Sequence, residues 1–280
     1  MGKNSKEDDT NYCVDRIIER PRREGERGRE RERERERDMS RISETSARFE
    51  TFRPAQYRSE VRSEIARDPF SPVSIFAITQ KLWPKRTLRI RFLEGEPEVQ
   101  RKVKYYARKW TNYARMRFIF ISDNSPADIR ISFEEGNGSW SYIGTDALSI
   151  EDPNEPTMNY GWLTPNTSND ETSRVVLHEF GHALGCPHEH QSPNNGIDWN
   201  KENVYEDLGG PPNYWSRRDI DHNMFDTYNE TITSYSNFDP KSIMLYEIPG
   251  RWVRGGRPIG GRNHALSEID KQYMQDVFYP

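Results

Sequence analysis

Residues 178–188 read His-Glu-Phe-Gly-His-Ala-Leu-Gly-Cys-Pro-His, an unbroken H-E-x-x-H-x-x-G-x-x-H, and no other stretch constrains the fold as tightly. His178 and His182 stand four residues apart, so on a helix both imidazoles project from one face and converge on one ion. Gly185 sits where that helix must stop. Without a Cβ it adopts the left-handed conformation that turns the chain and brings His188 to the same ion. Three neutral imidazoles leave one position of a tetrahedral zinc open, as in catalytic rather than structural sites. Glu179, next to the first ligand, points beside the metal, where it takes a proton from the water at the zinc and later passes it to a leaving amine. Two blander readings compete: three satisfied or surface histidines, and a zinc site that has lost activity. The intact Glu179 speaks against the second.

The charge distribution separates this motif from the start of the chain. From Arg22 to Asp38 the sequence is nearly pure Arg/Glu alternation with nothing apolar to bury, the composition of a solvated tail or, less simply, of a mixed-charge binding arm. Residues 1–50 hold 14 basic and 14 acidic side chains, which leaves 27 basic against 31 acidic in the remainder and accounts for the net charge of -4. Neither part has the basic balance of a nucleic-acid binder. The N-terminus lacks an apolar signal core, and no window approaches eighteen apolar residues, so neither a secretory leader nor a membrane span is expected and the localisation stays open. Cys13 and Cys186 are too isolated for a disulfide framework, and reduced thiols are the expectation.

Order is expected to begin near Pro72. Thr87–Leu93 alternates like a half-buried strand, and Val99, Val103, Ala107 and Trp110 recur at helical spacing behind Pro97. Residues 116–121 and 129–133 alternate again, a further strand runs through Trp140, Tyr142 and Ile143, and residues 157–163 add one more. Ser168-Asn-Asp-Glu171 reads as a capping box that opens the histidine helix. Beyond Gly185 the chain is rich in loops and closes with a short helix around 267–277. The expected class is α+β. A disordered tail (1–70) precedes a catalytic domain (71–280), made of a subdomain with a twisted mixed sheet and two long helices (71–185) and a loop-rich one with a terminal helix (186–280).

Downstream, Ser242-Ile-Met-Leu-Tyr246 matches S-x-M-x-Y. With the zinc motif, this makes the chain resemble the astacins among the metzincins over roughly residues 80–280, most strongly at 138–148 and 175–193. The resemblance implies a zinc-dependent endopeptidase with one Zn2+, a polypeptide substrate and a monomeric catalytic unit. It implies Met244 as the apolar floor of the site and Tyr246 as a switchable tyrosine, touching the metal at rest and hydrogen-bonding the tetrahedral intermediate during turnover. It also implies that the segment 140–145 forms the cleft rim on which an extended substrate pairs, though core packing explains its Trp/Tyr cluster equally well. Glu189 matches a glutamate that anchors the mature N-terminus in the family. His190-Gln-Ser-Pro193 and the lack of a second cysteine in the catalytic part resemble the fungal and bacterial branch. His190 reads as a neighbour of the ligands rather than a fourth ligand, Cys186 as a small packing residue, and His222 and His264 have no motif around them. Cys13 has no cysteine-switch context. Two other functions stay open: a non-catalytic zinc-bearing peptide-binding domain, and an interaction protein acting through its Arg/Glu tail.

Overall fold

Alternating and apolar segments become strands of one sheet, and the spacing of the first helix lays it on that sheet. The computed structural model describes residues 77–211, 213–228, 233–234 and 238–280. The expected tail, the onset of order near Pro72 and Cys13 lie outside the described residues. In chain order the elements are β1 (Ala77–Ile78), β2 (Thr87–Phe92), α1 (Pro97–Ala107), β3 (Arg117–Ile121), β4 (Ile129–Ser132), β5 (Ser139–Ser141) and β6 (Met158–Tyr160). Then come α2 (Asn169–Ala183), α3 (Lys201–Gly209), α4 (Arg217–Ile220), β7 (Thr233–Ser234) and α5 (Glu268–Tyr273). The main sheet runs β3-β2-β4-β6-β5, parallel except where β5 pairs antiparallel with β6, and β1 pairs antiparallel with β7. This is the mixed sheet of an α+β domain.

Alternation in β4 predicts one wet face, yet all four of its residues are buried. Parallel strands in the middle of a sheet are covered on both sides, and here the second cover is polar. The guanidinium of Arg130 donates to the carbonyls of Glu155 at 2.7 Å and Ile150 at 2.8 Å, and Ser132 Oγ donates to Asn159 Oδ1 at 2.7 Å. α1 begins with Pro97 at its first turn, where the missing N–H costs nothing. It buries Val99, Val103, Tyr106 and Ala107, and Trp110 follows in a 3-10 turn, its Nε1 donating to Leu177 O of α2 at 2.9 Å. The expected periodicity therefore docks α1 onto the histidine helix.

α2 starts with half of the expected capping box. Ser168 Oγ accepts from the Glu171 N–H, but the Glu171 carboxylate turns to Arg174 and Trp162 instead of back to Ser168. α5 has the complete box, Ser267 with Asp270, and a π turn at Met274–Phe278 follows it. Two hydrophobic clusters result. One gathers sheet, α1, α2, Met244 and the C-terminal Met274, Phe278 and Tyr279; the other gathers Val204, Leu208, Ile220, Leu245, Tyr246 and Trp252.

The strand expected through Ile143 stops at Ser141, because the chain turns into a 3-10 stretch at Gly144–Ser149. Gly144 has φ +53°, and a Cβ there would stand 1.9 Å from the Lys81 carbonyl oxygen. A left-handed Ala costs about 1–2 kcal/mol before any clash, and here the clash is with backbone. Gly144→Ala is expected to destabilise the protein by about 3 kcal/mol or more and lower Tm by roughly 6–12 °C. Calorimetry checks this; a Tm within a degree or two of wild type would mean that the loop relaxes freely.

Candidate metal centre

A helix leaves its last carbonyls without partners; at the end of α2 those of Gly181 and His182 are met by the N–H groups of Cys186 and Gly185, and the three that follow are met from distant segments. Trp83 Nε1 donates to Ala183 O at 2.7 Å, Tyr279 OH to Leu184 O at 2.8 Å, and the Ile78 N–H to Gly185 O at 3.1 Å. Gly185, at φ +106°, ends the helix as its place in the motif predicts, and a Cβ there would press on Leu82 at 2.9 Å. The turn then presents His188 back toward α2.

His178, His182 and His188 come together with ligand nitrogens all within 4.8 Å of one another, each residue buried. His178 Nδ1 donates to Ile243 O at 2.8 Å and His182 Nδ1 to Cys186 O at 2.7 Å. A carbonyl can only accept, so each bond fixes the tautomer with its proton on Nδ1 and turns the Nε2 lone pair inward. The two Nε2 atoms stand 3.1 Å apart. Two lone pairs held face to face repel unless a cation lies between them, and a soft-to-borderline divalent ion suits an all-imidazole set. Burial, then the neighbouring histidines, push His178 well below its usual range, and burial followed by His190 does the same to His188. Rings kept neutral are ready to bind metal without first losing a proton. The donor set therefore fits a zinc ion.

Around this triad the remaining residues fall into layers. Glu179 is 0% exposed and follows His178 on α2. The Tyr246 ring packs 4.1 Å from that of His188, 5.9 Å from His178 and 4.9 Å from His190, centroid to centroid. His190 stacks on His188 at 5.2 Å while its Nε2 donates to Asn223 O at 2.7 Å, so its proton-bearing nitrogen is turned to a carbonyl and it stands outside the triad. Glu189 is buried, accepts from the Asp239 N–H at 2.9 Å, and is pushed well above the usual carboxylate range by its burial. Cys186 is a buried free thiol raised by burial, as a packing residue should be. His264 is exposed and His222 partly so; neither joins the cluster.

Three supports of the site carry no motif. Gly181 lies in α2 where a Cβ would come 2.2 Å from Met244 Sδ, so the absence of a side chain at 181 admits the methionine. Asp270 accepts from Ser242 Oγ at 2.8 Å and from the N–H groups of Ile243 and Ser267 at 2.9 Å each, which fixes the turn that holds Met244 and the carbonyl partner of His178. Lys81 and Asp146 form an ion pair at 2.5 Å, tying the segment before β2 to the 3-10 turn after β5. The S/T-x-x-D spacing of Ser267 and Asp270 was the one available signal for Asp270.

The model of the Astacin family of peptidases matches residues 76–250 of this chain. A solved structure described as that of myroilysin is 45% identical, covers 72% of this chain and 98% of its own, and superposes with a TM-score of 0.70. A crystal structure of myroilysin gives 44% identity over 71% of this chain and 86% of its own, with a TM-score of 0.55. Among curated relatives, matrix metalloproteinase-20 of Homo sapiens is 33% identical over 122 residues, 38% of this chain. That match spans only 25% of the relative's length.

Proposed function

The chain belongs to the astacin family of peptidases, and from that premise we propose that it is a zinc-dependent endopeptidase hydrolysing peptide bonds with Glu179 as its general base. The observation that carries this reading is the convergence of three buried imidazoles with a buried carboxylate one residue from the first. His178, His182 and His188 would hold the zinc ion, which would supply Lewis acidity toward the scissile carbonyl and the attacking water. The chain's own residues do the rest. Glu179 accepts the proton of that water and returns it to the departing amine. The Tyr246 hydroxyl donates to the oxygen that gains charge, and Ile243 O and Cys186 O hold two ligand rings in the correct tautomer. β5 is the outer strand of the sheet, which supports an extended substrate adding along its free edge, Tyr142 and the following turn forming the rim. The catalytic unit proposed is 71–280, with residues 1–70 outside it.

Treating the zinc-loaded chain with a chelator is expected to abolish casein cleavage, and adding stoichiometric zinc to restore it. Cleavage indifferent to the chelator would overturn the metallopeptidase reading. The non-catalytic alternative predicts peptide binding without cleavage in the same assay.

Tyr246→Phe separates the roles further. A zinc held by three histidines loses little when a weak phenol neighbour goes, whereas a donor to developing negative charge is felt in the transition state. The variant is expected to lose about a hundredfold in kcat with KM and zinc content nearly unchanged. An unchanged kcat would place the hydroxyl away from the reacting oxygen.

A further inference from the structure

Away from the metal centre, a trough of about 590 Å³ opens between the solvent-facing side of α1 and residues 265–271. Its walls carry Arg101, Lys104, Tyr105, Arg108, Lys109 and Lys271, and no carboxylate lines it. Among the described residues, four of these five cations are not spent on salt bridges. Among the described residues Arg101 makes no ion pair; Lys104 and Arg108 lie over the Phe120 ring at 5.7 and 5.3 Å, and Lys109 over Tyr106 at 4.7 Å. Lys271 alone is paired, with Glu268 at 2.6 Å. Arg101 and Arg108 are two helical turns apart, about 10 Å along the axis, with Tyr105 between them, 63% exposed.

A cluster of this kind recognises negative charge, and the rest of the molecule says how long the anion is. Residues beyond 50 carry 27 basic against 31 acidic side chains with these cations included, so without them the balance of that stretch is more acidic still. A long uniform polyanion such as nucleic acid or a sulfated glycan would be attracted here and repelled on leaving the trough. A short run of Asp and Glu in an otherwise uncharged polypeptide meets only the attractive part. Tyr105 and Asn112 at the rim add hydroxyl and amide groups for peptide backbone. We propose that this trough is an accessory binding site for an acidic segment of the polypeptide substrate, distant in sequence from the scissile bond; the proposal rests on the endopeptidase reading.

The test uses the zinc-loaded full chain and a fluorescein-labelled peptide with six Asp/Glu residues in a Gly/Ser frame, read by anisotropy. Saturable binding is expected, about tenfold weaker in Arg101→Glu/Lys109→Glu and weakened again by raising salt from about 0.05 to about 0.3 M, since exposed charges are screened over about 10 Å or less. The milder Arg101→Gln, at an exposed position, is expected to weaken binding severalfold and serves if the double variant does not fold. A neutral fluorogenic peptide and the same peptide extended by the acidic run are then compared as substrates. The extension is expected to lower KM about tenfold with kcat unchanged, and the double variant to remove that difference while cutting the neutral peptide as wild type does. Equal affinity of wild type and variants for the acidic peptide overturns the proposal, as does tighter binding of an oligothymidylate or a heparin fragment of equal charge. If neither peptide is cut, it is the peptidase reading that fails, and the anisotropy still decides the trough.

Discussion

Glu179→Gln is expected to reduce kcat by about three to four orders of magnitude while the protein keeps one zinc per chain. Gln matches Glu in size and hydrogen-bonding reach, and position 179 is 0% exposed, so the substitution changes basicity and little else. General acid–base catalysis contributes about 10²–10⁴ in rate, and the same carboxylate is used twice, to accept a proton and to deliver it. The upper part of that range corresponds to roughly 4–5.5 kcal/mol of barrier. Zinc should stay, since the ligand nitrogens belong to other residues and two of those rings are fixed through backbone carbonyls. Metal analysis beside single-turnover kinetics reads both quantities. Near-normal turnover would remove Glu179 from the mechanism, and zinc lost together with activity would make it a structural support of the ligands. Replacing His178, His182 or His188 with Ala should instead lower zinc content and activity in parallel.

What could be read from the sequence follows from how local each cause is. The convergence of the three histidines was legible because its geometry is written within eleven residues: helical spacing aligns two of them and a glycine turns the chain to the third. β2 and α1 were legible for the same reason, their periodicity being set by one buried face. The supports of the site answer to residues far away. Gly181 is bare because Met244 presses on it, Gly144 because the Lys81 carbonyl does, and β4 is buried on both faces because the loop at 150–155 folds over Arg130. The strand after Ser139 looked longer than it is, since nothing in Trp140-Ser-Tyr-Ile143 announces that Gly144 will take a positive φ. Tyr246 lies between: its pattern named it, but its place against the His188 ring depends on a turn held by Asp270.

That carboxyl is the site of the largest stability effect expected outside the catalytic residues. Burial pushes Asp270 up to about 7, so at pH 6 it is mostly protonated. Protonation reverses the bond to Ser242 that the ionised carboxylate accepts: Oδ1–H then donates to Ser242 Oγ, which itself accepts from the Met244 N–H at 3.1 Å, while Oδ2 keeps the N–H groups of Ile243 and Ser267. Asp270→Ala leaves two buried N–H groups without their acceptor and the Ser242 hydroxyl without its carboxyl partner, at about 1–3 kcal/mol each. A loss of about 3–5 kcal/mol is therefore expected at pH 6, or a Tm lower by roughly 10 °C. Because Ile243 O orients His178, zinc affinity should fall about tenfold or more as well. Asp270→Asn behaves differently: its amide N–H2 takes the place of Oδ1–H and its oxygen accepts the two N–H groups, so stability and zinc affinity at pH 6 are expected to be close to wild type. The two proteins part as pH rises. A carboxyl raised from about 3.8 unfolded to about 7 folded stabilises the protein below about pH 4 and loses that contribution as pH climbs through 7, on the order of 4 kcal/mol in all. Glu189, also raised, adds in the same direction and remains in the variant. Melting curves between pH 5 and 8 should thus fall more steeply for wild type than for Asp270→Asn. An Ala variant as stable as the Asn one would show that the Met244 turn holds itself, and parallel pH profiles would mean that Asp270 is ionised throughout.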